Sequence, residues 1–125
     1  MDGVPANLRV LLVEDDAEVR SVVQKFLASM ACEVVACANA EEALHVLESD
    51  SGIRLLLTDI LLGPGMRGTE LADIVRTRLP GLPVLLMSGY SSELLDEPHG
   101  WELLRKPYTR IELERAMAKV LRAAQ

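Results

Sequence analysis

Aromatic residues are scarce in this chain: one Phe, one Trp and two Tyr among 125 residues. Its core must therefore be assembled from Leu, Val, Ala, Ile and Met. Basic residues are outnumbered 13 to 19, the formal charge is −6, and the bases are scattered rather than clustered. Binding to nucleic acid or to an anionic membrane surface depends on neutralising phosphates, so neither is expected. The longest runs of large aliphatic side chains, Val10 to Val13 and Val84 to Met87, hold four residues. A membrane span needs about 20. The opening Met-Asp-Gly-Val-Pro lacks the charged and apolar regions of a secretory leader, and the expected location is cytoplasmic. The only cysteines are Cys32 and Cys37, and His45 and His99 stand far from them in sequence. Two such thiols suit small core residues in a reducing compartment better than a metal site or a nucleophile.

What the chain does have is one domain's worth of alternating pattern. At this length about 65% of the unfolded surface can be buried, enough to fold without staples. Compact aliphatic runs at Leu8 to Val13, Ile53 to Leu57 and Pro83 to Met87 suit strands buried on both faces of a parallel sheet. Cys32 to Ala38 and Trp101 to Leu104 are weaker strands. Helical spacing links Val19, Val22, Val23, Phe26, Leu27 and Met30 behind a capping Asp16. Asn39 with Glu42, and Thr109 with Glu112, have the spacing of capping boxes. Leu71, Ile74, Val75 and Leu79 mark a further helix, stopped by Pro80-Gly81. Strands alternating with helices predict an α/β fold with a doubly wound, five-stranded parallel sheet. Sites in such sheets lie beyond the carboxyl ends of the strands.

At those ends the sequence places Glu14, Asp15 and Asp16 after the first strand, Asp59 after the third, Ser88-Gly89 after the fourth and Lys106 after the fifth. Taken alone, Asp59 is as readily a loop or cap aspartate, Ser88 an ordinary strand-end serine and Lys106 a solvated lysine. Together they carry more weight. Like charges about 4 Å apart at an effective dielectric of 20 repel by ~4 kcal/mol, so a fold that gathers acids needs a cation. Oxygen donors without His or Cys select Mg²⁺. Lys106 is one of three lysines beside ten arginines. Its compact ammonium suits pairing with a carboxylate or phosphoryl oxygen, and the following Pro107 makes their peptide a candidate for the cis form.

Val-Glu-Asp-Asp (13 to 16), Leu-Thr-Asp (57 to 59), Gly68, Met-Ser-Gly-Tyr (87 to 90) and Lys-Pro-Tyr (106 to 108) follow one another in order. In this the chain resembles the receiver domains of two-component response regulators, a single flavodoxin-like domain over residues 1–125 with its core at about 8–122. The resemblance implies that Asp59 accepts a phosphoryl group from a histidine kinase or a histidine phosphotransfer protein. It implies Mg²⁺ held by Asp15 and Asp59, by Glu14 through water and by the Leu61 carbonyl. Ser88, the Gly89 amide and Lys106 would receive the phosphoryl oxygens, with the domain catalysing its own phosphorylation and slow dephosphorylation.

Three departures stand out. The loop from Asp59 to Gly68 is one residue longer than is common in the family. Leu103 takes the place of the usual aromatic switch residue, with Tyr90 and Trp101 as candidate substitutes. The span from Ser88 to Lys106 contains Pro98 and Gly100, so the helix between the fourth and fifth strands should be short or missing. These features resemble receivers of hybrid histidine kinases or stand-alone ones, which act through contact with a further protein. A phosphatase of the haloacid-dehalogenase type needs a second Asp at position 61, where Leu61 stands. A flavodoxin-like small-molecule binder needs a glycine-rich loop where the acids stand. The remaining alternative is a receiver-like interaction module that works without phosphorylation.

Overall fold

The computed structural model describes residues 3–89 and 100–124. Five parallel strands, β1 (Arg9–Val13), β2 (Glu33–Cys37), β3 (Leu55–Asp59), β4 (Val84–Ser88) and β5 (Glu102–Arg105), form one sheet in the order β2-β1-β3-β4-β5. Four helices are seen among the described residues: α1 (Ala17–Ser29), α2 (Ala40–Ser49), α3 (Gly68–Arg78) and α4 (Arg110–Ala123). The expected doubly wound architecture is present. The helix expected to be short or missing would fall within 90–99, outside the described residues, as does Tyr90. No helix among the described residues is long and apolar enough to cross a membrane.

The aliphatic runs form strands because both sheet faces are covered. Leu11, Val13, Leu56 and Leu86 point into a core shared with Ala43 of α2 and Leu71, Ala72 and Val75 of α3. Val10, Leu12, Leu55, Leu57, Leu85 and Met87 point the other way, against Val23 and Leu27 of α1 and Leu113 and Met117 of α4. Period-two alternation is thus intact, but it alternates between two apolar layers and is silent in the hydropathy. Each fully buried leucine contributes roughly 2–3 kcal/mol. Both thiols sit in these layers, Cys37 buried and Cys32 partly so. Burial pushes the Cys37 thiol up to about 11 and raises that of Cys32, which disfavours the thiolate at both.

Helix starts follow their caps. The Asp16 carboxylate accepts from the amides of Glu18 (2.9 Å) and Val19 (3.1 Å), and Thr109 with Glu112 closes a reciprocal box on α4. The Asn39–Glu42 pair departs from the expected box. Asn39 Oδ1 accepts from Glu42 N at 2.8 Å, but Glu42 Oε1 turns back to the amide of Ala38, one residue before the cap. On α1, Val22 does not join the core: it is 49% exposed, beside a groove lined by Val19, Phe26, Pro107 and Tyr108. The Lys106–Pro107 peptide is cis.

Candidate functional site

The strand register sets the site. Val13 pairs with Thr58, Asp59 with Met87 and Ser88 with Arg105, so each strand delivers its next side chains to one edge. There Glu14, Asp15 and Asp59 each present a carboxylate oxygen within 4.8 Å of the others. Glu14 is 1% exposed and Asp59 7%, whereas Asp15 faces solvent. Lys106 Nζ spans the buried pair, donating to Glu14 Oε1 at 2.6 Å and to Asp59 Oδ2 at 2.9 Å. The chain itself thus supplies one positive charge to the buried pair. The acid cluster expected from the sequence is present, with Lys106 bridging two of its three members.

The other expected residues fall around the same cleft. Leu61, Gly63 and Gly89 line it with the acids and Lys106. Ser88 is buried at the end of β4, and its carbonyl accepts from the amide of Lys106 at 2.8 Å, which seats the lysine beside the acids. Leu61 is 39% exposed at the mouth. Asp16 stays outside the cluster as the cap of α1. The lengthened loop turns through Gly63 and Gly65, with φ of 76° and 101° that side-chain-bearing residues rarely adopt. That turn carries Gly63 past the Asp15 carboxylate, where an added Cβ would meet Oδ2 at 3.3 Å.

Sequence reasoning gave no contact to three participants. Arg20 of α1 donates to the Glu14 carbonyl at 2.8 Å. Tyr108 donates its hydroxyl to Met87 Sδ at 3.0 Å, and burial, with Glu14 and Asp59 adding, lifts its pKa far above ordinary. Arg76 of α3 lies 3.8 Å over the Trp101 ring and donates to the Gly100 carbonyl at 3.2 Å, tying the start of β5 to α3. A helical arginine followed 25 positions later by a tryptophan leaves no local pattern to find. Leu103, at the usual aromatic position, packs into the α2/α3 core beside Trp101.

Burial raises the Glu14 carboxyl above its usual range; the Lys106 hydrogen bond opposes this and repulsion from Asp59 adds to it. Desolvation pulls the Lys106 ammonium down, but its bonds to Glu14 and Asp59 outweigh that and lift it above 10.5. For Glu14 the native state holds the proton more tightly than the unfolded chain does. Stability is therefore lost as pH rises from 4.5 to the higher native value. For Lys106 the contribution is complete below 10.5 and lost as pH climbs through the raised native value. In chelator the wild type should lose melting temperature relative to Glu14→Gln as pH rises across the acid window; parallel profiles would show that Glu14 is not strained by burial.

With sheet, acids and lysine in place, the comparisons agree. The family model for the response regulator receiver domain matches residues 10–118, so the chain belongs to that family of two-component signalling proteins. It is 43% identical over 84 residues to the response regulator protein FleR of Pseudomonas aeruginosa, covering 67% of this chain and 17% of that protein. It is 36% identical over 123 residues to the two-component response regulator ARR11 of Arabidopsis thaliana, covering 94% and 23%. The chain spans less than two-fifths of the length of these relatives. Among solved structures, a response regulator receiver protein from Pseudomonas putida superposes with a TM-score of 0.79 at 30% identity, covering 93% of this chain and 99% of that one. A receiver protein from Sinorhizobium medicae gives 0.83 at 25%, covering 94% and 97%.

Proposed function

We propose that this domain takes a phosphoryl group onto Asp59 from a phosphohistidine on a histidine kinase or a histidine phosphotransfer protein, and passes the signal on by contact with a further protein. The observation that carries this reading is the Lys106 bridge: one ammonium within 2.9 Å of the Asp59 carboxylate, at an edge where three carboxylates converge. Asp59 Oδ would attack phosphorus, the P–N bond would break, and its electron pair would return to the imidazole nitrogen. Such a transfer leaves little covalent work to the protein and depends on positioning and charge neutralisation. Lys106 would follow the incoming phosphoryl oxygens, with the Ser88 hydroxyl and the Gly89 amide beside them.

The all-oxygen donor set with two buried members suits Mg²⁺. Asp15 and Asp59 would hold it directly, Glu14 through water and Leu61 through its carbonyl. Bound Mg²⁺ would supply positive charge where phosphoryl oxygens gather. The chain's own residues then do the rest: Asp59 attacks, Lys106 neutralises, and the same site slowly returns the phosphoryl group to water. The apolar groove of Val19, Val22, Phe26 and Tyr108, contiguous with Lys106, would receive the partner segment that brings the phosphohistidine. The acidic charge and the scattered bases favour a protein partner in the cytoplasm over nucleic acid or membrane.

Incubation with acetyl phosphate and Mg²⁺ should add one phosphoryl group to the intact mass, and Asp59→Asn should take up none. A wild type that gains no mass would support the phosphorylation-independent interaction module instead, and equal labelling of the variant would move the acceptor elsewhere.

A further inference from the structure

The backbone carbonyl of Asp59 is approached from two sides by groups with no role so far. Thr58 of β3 is fully buried, and its Oγ1 donates to Asp59 O at 3.0 Å. Gly68 opens α3 and is also buried. A Cβ on Gly68 would stand 1.8 Å from that same oxygen and 2.8 Å from the carbonyl carbon, obstacles that are backbone and cannot swing aside. The same peptide is held at its nitrogen, Ile60 N donating to Met87 O at 2.9 Å, and the next one at its oxygen, which accepts from Gly68 N at 2.9 Å. The peptide plane from which the Asp59 side chain departs is thus set by a hydroxyl, by the absence of a side chain and by two flanking hydrogen bonds.

We propose that Thr58 and Gly68 are positioning residues for Asp59, holding its peptide plane so that the carboxylate stands against Lys106 and Asp15 in the geometry needed for attack. This rests on Asp59 being the phosphoacceptor. A reacting group misplaced by ~1 Å can cost on the order of 100-fold in rate, and the carboxylate is only two bonds from the restrained backbone. A hydroxyl buried merely to fill space would behave differently. Valine has nearly the same shape, so replacing Thr58 by valine would then change stability without changing the rate of folded molecules.

The experiment compares wild type, Thr58→Val and Thr58→Ser by rate of mass gain from acetyl phosphate at saturating Mg²⁺, at a temperature where circular dichroism shows each folded. Thr58→Val should lower the rate at saturating donor on the order of tenfold, with the half-saturating donor concentration nearly unchanged. Thr58→Ser, which keeps the donor, should stay close to wild type. Gly68→Ala should slow the reaction further; if it does not fold, the Thr58 pair decides alone. A valine variant at the wild-type rate overturns the inference. So do valine and serine variants that are equally slow, because the loss then follows the methyl group and not the hydroxyl. If Thr58→Val alters only the half-saturating concentration, the residue governs donor binding and the inference also falls. A wild type that gains no mass fails differently, removing the phosphoacceptor reading and the inference together.

Discussion

Replacing Lys106 by methionine is expected to lower the melting temperature of the metal-free protein by about 10 °C and to slow phosphoryl uptake on the order of 100-fold. The first effect follows from what the ammonium leaves behind. Glu14 and Asp59 are nearly buried and both bond to Lys106 Nζ, at 2.6 and 2.9 Å. Removing one partner of a buried ion pair costs about 3–5 kcal/mol. The lysine side chain is 20% exposed, so water screens part of that and about 2–3 kcal/mol remains. Methionine keeps the apolar stem, so the loss is one of charge and not of packing. Removing a preorganised charge from a transfer site typically costs 100-fold or more in rate. Thermal melts in chelator and the rate of mass gain check the two halves separately. An unchanged melting temperature would mean that the bridge contributes nothing to the fold.

Magnesium is expected to stabilise the wild type, and Asp15→Asn to remove most of that response. A ligand that binds only the folded state at one hundred times its Kd adds ~2.7 kcal/mol. In a domain of this size that is about 10 °C. Asp15 is the exposed member of the triad, while Lys106 reaches the other two. Its loss should therefore leave the chelator melt nearly where it was while taking away a direct oxygen donor. Lys106→Met should behave inversely, starting lower and gaining more from the metal, because the ion replaces the missing charge. Melts of the three proteins across a magnesium titration give the comparison. Equal shifts in wild type and Asp15→Asn would mean that Asp15 holds no ion.

Much of this architecture was legible because buried parallel strands are written as continuous aliphatic runs, and Leu8 to Val13 or Pro83 to Met87 match little else. Element ends were less legible. The run at Ile53 to Leu57 suggests a strand two residues earlier than β3 begins, since apolarity marks burial and Ile53 is buried ahead of the strand. Glu14, Asp15, Asp59 and Lys106 could be brought together on paper because the fold class dictates one functional edge. The Lys106 bridge could not, because a topology gives an edge and no distances. Val22 illustrates another limit: helical spacing places it with Val19 and Phe26, but only the β5–α4 connection reveals that this side is a groove. Thr58 and Gly68 act through a carbonyl, and a main-chain atom leaves no mark in side-chain patterns.

The guanidinium of Arg76 over the Trp101 ring has an optical consequence. Trp101 is the chain's only tryptophan, so the intrinsic indole emission of the whole domain originates at the junction of α3 and β5. A cation 3.8 Å above the ring face perturbs the excited-state dipole, and any displacement of β5 from α3 alters that field. The molecule therefore carries a built-in, label-free reporter at the edge of its sheet, one strand away from the strand that ends in Ser88.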